Sequence, residues 1–267
     1  MSVLLHPVDS VASLLDLERV KPDAFLAGNP QIGWSRLYGG QVVAQALRAA
    51  GLTVDAPHRV HSLHAYFVRA GTEAEPVLYE VERVRDGRSF TTRQVVAYQA
   101  GGAILNLIAS FQADEEGDDE QAIAPPPGGG APDDFPDAPT DLFFEHKIVR
   151  SVREPVPDQV TWMRVPEALG DDPMVHACAL AYCSDEDLLG VAVLPHSLGG
   201  QWDDLMCASL DHAIWFHRPV RANEWLLFHL SGHGVANSRG MAIARVFDTA
   251  GRHVASVAQE GLVRVRQ

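Results

Sequence analysis

The sequence is poor in cysteine, in positive charge and in long apolar runs, and each shortage removes a class of explanation. Its three cysteines, Cys178, Cys183 and Cys207, are odd in number and lack the paired spacing of a zinc site. This reading excludes a disulfide framework and a metal centre, and it implies no cofactor. No apolar run approaches the ~18 residues that a membrane-spanning helix needs, so no membrane partner is expected. The opening MSVLLHPVDSVASLLDLERV has no basic leader and meets Asp9 early, and the final Val-Arg-Gln is not a peroxisomal tripeptide. A cytoplasmic protein with reduced thiols is the expectation. Lys and Arg number 21 against 35 Asp and Glu, for a net charge of −14. No basic stripe is present to neutralise phosphates, so nucleic acid is excluded as a partner.

The negative charge is concentrated. Between Ala113 and Asp141 stand ten acids and no Lys or Arg, and removing those ten from −14 leaves −4 for everything else. The same segment carries Pro125-Pro126-Pro127-Gly128-Gly129-Gly130 and few large apolar residues. It cannot offset the entropy of its own ordering, so residues 113–141 are expected to form a solvated acidic linker. On either side lie stretches, 1–112 and 142–267, each long enough to bury a core.

Both stretches read as helix and then strands. Residues 1 to about 20 predict an amphipathic helix through Val11, Leu14, Leu15 and Leu17, with Ser10 as cap. A second helix spans Gly39 to Gly51, with Val42, Val43, Ala46, Leu47 and Ala50 on one stripe. Strands follow over Arg59–Arg69, Pro76–Arg85, Ser89–Ala100 and Ala103–Gln112, separated by Asp86-Gly87 and Gly101-Gly102 turns. In the second stretch, short strands at Glu145–Arg153 and Gln159–Val165 precede a helix begun by Asp171-Asp172-Pro173 and ending near Ser184–Asp187. A loop with Pro195-His196 and Gly199-Gly200 leads to strands at Ser209–His217, Glu224–His229, Gly240–Phe247 and His253–Val265. Ser62-Leu63-His64-Ala65 is echoed by Ser209-Leu210-Asp211-His212-Ala213, so the chain is read as a repeat.

Simple alternation along Ser209–Arg218 puts Ser209, Asp211, Ala213, Trp215 and His217 on one face, and Leu210, His212, Ile214, Phe216 and Arg218 on the other. Both faces mix ionisable with large apolar groups, which marks the strand as the wall of a site. The glycines that open the helix at Gly39-Gly40 leave free backbone N–H groups able to meet an electron-rich oxygen.

Several longer motifs carry a resemblance. Gly39-Gly40-Gln41-Val42-Val43-Ala44-Gln45-Ala46-Leu47, His61-Ser62-Leu63-His64-Ala65-Tyr66-Phe67-Val68-Arg69, Arg85-Asp86-Gly87-Arg88-Ser89-Phe90 and Ala109-Ser110-Phe111-Gln112 come from the first stretch. Leu210-Asp211-His212-Ala213-Ile214-Trp215-Phe216-His217-Arg218-Pro219, Asn223-Glu224-Trp225-Leu226-Leu227 and Gln259-Glu260-Gly261 come from the second. Together they resemble the thioesterase II family of acyl-CoA thioesterases, over nearly the whole chain outside the linker. The resemblance implies an α+β tandem (double) hotdog, each half a central helix wrapped by an antiparallel sheet. Residues 1–112 are then the N-terminal hotdog domain, and 142–267 the C-terminal one that carries the catalytic residues. It also implies hydrolysis of acyl-CoA by a water activated by an Asp, a Thr or Ser, and a Gln. By position these fall on Asp185, Ser209 and Gln259. Double units of this family are expected to assemble further, to homo-oligomers that are dimers or tetramers.

The chemistry is consistent with those residue types. A carboxylate can take the water's proton, or attack the thioester itself, and both routes are open. Gln259 and Ser209 both donate and accept, so they can orient a water. Gly39 and Gly40 are candidate oxyanion donors, and His64, with His61, is a further candidate beside the substrate. Asp211 with His212 is a rival acid near Ser209, but no Gly-x-Ser-x-Gly elbow surrounds that serine. Arg69, Arg88, Arg93, Arg218 and Arg239 are candidates for the CoA phosphates. The alternatives are an enoyl-CoA hydratase of the same fold, which needs a paired Asp/His motif, and a non-catalytic acyl-CoA-binding protein.

Overall fold

The structure is a computed structural model that describes residues 7–154, 156–194 and 204–266. The loop with Pro195-His196 and Gly199-Gly200 lies outside the described residues. Helix α1 (Val11–Leu14) and strands β1 (Glu18–Lys21) and β2 (Ala24–Ala27) precede helix α2 (Gly39–Gly51). Four strands follow: β3 (Arg59–Phe67), β4 (Val77–Asp86), β5 (Phe90–Gln99) and β6 (Gly102–Gln112). The second half runs β7 (Glu145–Val152), β8 (Asp158–Arg164), α3 (Pro173–Cys183), α4 (Leu188–Val193), β9 (Leu205–Ser209) and β10 (Asp211–Phe216). It closes with β11 (Leu226–Ala236), β12 (Arg239–Phe247) and β13 (His253–Val265).

These strands form one sheet, ordered β1-β2-β4-β5-β6-β3-β10-β13-β12-β11-β8-β7, with β9 alongside β13. From the seam between β3 and β10, each half reads outward in the same way: β3-β6-β5-β4-β2-β1 and β10-β13-β12-β11-β8-β7. At the seam Leu63 lies opposite Ile214 and His64 opposite Ala213. The echoed segments are therefore the equivalent strands of the two halves, paired with each other. In the second half α4 is an addition to the shared plan.

The two long helices lie antiparallel on one face of the sheet. A Cβ on Gly40 would meet Tyr182, and one on Gly51 would meet Met174. Small residues allow this approach, and α2 is buried on nearly every side. One apolar core runs through both halves, from Val43, Leu47, Leu63 and Phe111 to Tyr182, Ile214, Phe228 and Val257. Its drive is removal of apolar surface from water, roughly 25 cal/mol per Å². Gln45, although buried, is satisfied: it donates to the carbonyls of Leu14 and Gly28 and accepts from the Tyr79 hydroxyl, which ties α1 and β2 to α2.

Two expectations are corrected. The N-terminal helix is only Val11–Leu14, closed at its start by a reciprocal Ser10–Ser13 cap. Beyond it, residues 18–21 gain ladder hydrogen bonds with β2 at the sheet edge, and a helix there would forgo them. The acidic segment is also not a solvated connector. Ile123 and Phe135 pack on Val160, Trp162, Leu227 and Phe247, an apolar patch on the outer face of the second half's strands. Its carbonyls accept from Trp162 Nε1 (Gly129, 3.0 Å) and Arg150 (Pro127, 2.8 Å), while Gln121 bridges Gly251 and His253. Composition described the segment but not the apolar surface waiting for it. Most of its acids remain exposed.

Candidate active site

Helix α2 begins without a cap of its own, since Tyr38 at the N-cap makes no side-chain hydrogen bond. The cap comes from the other half. Asp185, two residues beyond the end of α3, accepts from the Gly40 N–H through Oδ2 at 2.9 Å. A helix N-terminus favours such an anion. Both glycines are required by space. A Cβ at residue 39 would stand 2.6 Å from Asp185 Oδ2, and one at residue 40 would stand 2.4 Å from the Tyr182 carbonyl oxygen. Tyr38 fixes the same junction by donating its hydroxyl to that carbonyl at 2.9 Å.

Asp185 is not alone. Gln259, on β13, donates from one Nε2 to Asp185 Oδ1 at 2.6 Å and to Ser209 Oγ at 2.7 Å. An amide nitrogen has two hydrogens, and here each is committed. The serine's own proton and Gln259 Oε1 stay available, the latter a buried acceptor without a partner among the described residues. The Asp185 side chain is only 7% exposed, so the group meets substrate largely free of bulk water.

Ser209 reaches this cluster through an irregularity. It pairs with Gly261 in the β9 register, whereas β10 resumes one residue out of step, with Ala213 opposite Ala258. A one-residue slip exchanges the faces of a strand. Ser209 therefore shares the inner face with Gln259 and His212, and not the outer face with Asp211 as simple alternation predicted. Asp211 instead accepts from the Glu260 N–H at 2.7 Å and completes the ladder beside the slip. As rival acid it is withdrawn.

His212 is fully buried beneath the cluster. Ser184 donates to the Ala181 carbonyl, so its oxygen accepts from His212 Nε2–H at 2.9 Å, and Nδ1 is left facing Asp185 Oδ1 at 4.0 Å. Burial holds the His212 pKa below its ordinary value, against the pull of Asp185 and Asp211. Next to Asp185, burial, followed by the charges of Asp187 and Asp185, pushes Glu186 up to about 8.

The other expected residues divide. Gly39 and Gly40 stand at the cluster, with the Phe67 ring against Gly39. The Gly40 amide is spent on Asp185, while the Gly39 N–H makes no hydrogen bond among the described residues. His64 is a correction: alternation along β3 turns Leu63 and Ala65 inward and leaves His64 exposed on the outer face, edge-on to Trp215 at 5.2 Å. His61 bonds Ser110 Oγ at 2.8 Å, beside the opposite end of the helix pair. Arg93 is buried at that opposite end on Thr53 and Asp86, and Arg218 is held there by Asp119. Arg88, in the β4–β5 turn, lies toward the same end. Arg69 donates to the Ala103 carbonyl at 2.9 Å, and Arg239 pairs with Glu260 at 2.9 Å. Sequence reasoning missed Tyr38, Phe67 and Glu186; their signals were an aromatic just before the glycine pair and the run of three acids at 185–187.

The second half, residues 149–262, matches a family model described as acyl-CoA thioesterase, and residues 28–112 match one described as an acyl-CoA thioesterase N-terminal domain. The chain is 35% identical to acyl-coenzyme A thioesterase 8 of Homo sapiens, over 96% of this chain and 89% of that protein. Among solved structures, it is similar to acyl-CoA thioesterase II TesB2 from Mycobacterium marinum, at 38% identity and a TM-score of 0.83, covering 96% of this chain and 98% of that one. A hot dog fold protein from Alicyclobacillus acidocaldarius matches with a TM-score of 0.80 at 17% identity, over 96% of this chain and 98% of that one, which speaks for the fold alone. The tandem of wrapped helices is the double hotdog.

Proposed function

The chain belongs to the thioesterase II family of acyl-CoA thioesterases, and from that premise we propose that Asp185, Ser209 and Gln259 activate the water that hydrolyses its acyl-CoA substrate. The water oxygen attacks the thioester carbonyl carbon as Asp185 takes one proton. Gln259 Oε1 accepts the other water hydrogen and the Ser209 hydroxyl donates to the water oxygen, which fixes its aim. The tetrahedral intermediate then breaks its C–S bond, and the proton held on Asp185 passes to sulfur. The products are a fatty acid and CoA thiol. A general base of this kind contributes about 10²–10⁴-fold. With the Gly40 amide committed to Asp185, the Gly39 N–H is the donor read as facing the oxyanion.

The observation that carries this reading is the single Gln259 amide joining the acid to the hydroxyl across three separate elements. Both Asp185 oxygens already accept an N–H. Each oxygen keeps a lone pair, with which it can take the water's proton or attack the thioester carbon. The general-base route is the one this reading takes. Outside the site, Tyr66, Ile108 and Trp215 are exposed on the outer face at the seam, which supports a homo-oligomer joined there. Free Cys178, Cys183 and Cys207 support a cytoplasmic setting. Among the described residues no helix is long and apolar enough to cross a membrane.

The test is free-thiol release from a panel running from acetyl-CoA to stearoyl-CoA. Turnover on one chain-length class is expected. Binding of acyl-CoA without thiol release on any member would refute the catalytic reading.

A further inference from the structure

The duplicated fold gives the catalytic end of the helix pair a counterpart at the other end. Tyr38 and Asp172 occupy the equivalent N-cap positions of α2 and α3, although only Asp172 caps through its side chain. Arg69 and Arg218 close the equivalent seam strands, each N–H directed to one carbonyl of the neighbouring strand, Ile104 or Val254. The slip is duplicated too: Val60 lies opposite Phe111 as Ser209 lies opposite Gly261, and both strands then change register. By these equivalences Ser209 corresponds to Val60 and Gln259 to Ala109. Asp185, which meets the first turn of α2, corresponds to Gly51, which meets Met174 in the first turn of α3. The three counterpart positions, Gly51, Val60 and Ala109, thus supply no acid, hydroxyl or amide to repeat the water-holding set.

The counterpart has nonetheless stayed open. A cavity of about 820 Å³ occupies it, within the ~300–1,000 Å³ typical of small-molecule sites. Val60, Phe111, Met174, Ala177, Phe216 and Val220 give it an apolar wall, and Arg48, Arg59 and Arg218 stand around it. We propose that this cavity is a second, non-hydrolytic site that takes the alkyl chain and carboxylate of a fatty acid. The choice of ligand rests on the thioesterase reading, because the fatty acid is the product of that reaction.

Charge argues for a monocarboxylate. Arg48 holds Asp172 at 3.3 Å, Arg59 holds Asp114 at 3.0 Å, and Arg218 holds Asp119. These are carboxylates already seated where the ligand's carboxylate would bind. The three aspartate side chains are 51%, 58% and 69% exposed, so exchanging one of them costs little. Asp114 and Asp119 come from the acidic segment, which also brings Glu115 to the cavity. A polyphosphate such as CoA would face those acids, and like charges reject it. Arg48 Nε and His58 Nε2, on two lining residues, are buried without partners among the described residues, and a ligand oxygen would relieve such groups.

Equilibrium dialysis of the full chain against radiolabelled dodecanoate tests the assignment, with thiol release measured on the same preparations. Gly51→Leu projects a side chain toward Met174 and fills the cavity, so it should bind one equivalent fewer than wild type. Arg59→Glu, on the rim, should weaken that equivalent about tenfold or more, and it keeps the test open if Gly51→Leu misfolds. A non-hydrolysable dodecyl-CoA thioether should fail to displace it. Equal stoichiometry and affinity in wild type and variants, no binding to wild type, or displacement by the thioether would each overturn the proposal. Absence of thiol release with this pattern intact would count against the catalytic reading alone.

Discussion

Replacing Gly40 by alanine perturbs packing and chemistry at one point. The added Cβ would lie 2.4 Å from the Tyr182 carbonyl oxygen and 2.6 Å from the Tyr38 ring, where ordinary contact begins near 3.4 Å. The helices must therefore part by about 1.0 Å, the difference between 3.4 and 2.4 Å. Neither obstacle is the free end of a flexible side chain, so overpacking should cost about 1–3 kcal/mol. For a chain of this size that is a fall in Tm of roughly 3–10 °C. The same parting would stretch the 2.9 Å bond from the Gly40 amide to Asp185 beyond hydrogen-bond range. Misplacement of a reacting group by an ångström costs about 10²-fold. Thermal denaturation and thiol-release kinetics measure both effects. Gly190→Ala is the control: that glycine lies within α4 with no atom within 4 Å of an added Cβ, so the change should be neutral or stabilising by up to ~1 kcal/mol. A Gly40→Ala protein with unchanged Tm and kcat would refute the reasoning.

Two other perturbations probe the surroundings. Burial raises Glu186 from its ordinary 4.5 to about 8, so its proton is held more tightly in the folded state. Stability from this group is then fully present below about pH 4.5 and is lost as pH rises toward and through about 8. Glu186→Gln should leave the unfolding free energy from urea titration nearly unchanged at pH 4.5 and raise it at pH 8, by on the order of 2 kcal/mol once partial contact with water is allowed for; equal values at pH 8 would contradict it. Arg93, only 1% exposed, donates to Thr53 Oγ1, to the carbonyls of Thr53, Arg85 and Thr92, and to Asp86. Arg93→Ala should cost about 2–4 kcal/mol in chemical denaturation, and Arg93→Lys should recover little, because an ammonium cannot span that fork.

The β-meanders and the α2 and α3 helices were legible in the sequence because period and turn chemistry agreed. Asp86-Gly87 sits at the β4–β5 turn, and Asp172-Pro173 starts α3, where Asp172 accepts from the Met174 N–H. The echo at Ser62 and Ser209 gave the repeat, and its pairing at the seam explains why those strands in particular share a pattern. What alternation could not show was the slip between Ser209 and Asp211, because a single misplaced residue leaves no mark in the sequence. It turned the serine to the inner face and removed Asp211. His64 was misjudged for a related reason: the motif named the residue, and strand parity decided its side. The acidic segment joins the two halves, but composition could not show that it lies on the apolar surface of Trp162 and Phe247. The trans cap of α2 by Asp185 joins residues far apart in sequence, and no local pattern encodes it.

The central claim is that Asp185 activates water within a hydrogen-bonded set that includes Ser209 and Gln259. Its most direct test is kcat/KM for Asp185→Asn beside wild type on the best acyl-CoA of the panel, with folding checked by circular dichroism. The substitution keeps size and shape but removes the base. A folded variant that falls at least about 10²-fold is the predicted result. A folded variant that retains wild-type turnover would contradict the account and move the chemistry away from Asp185.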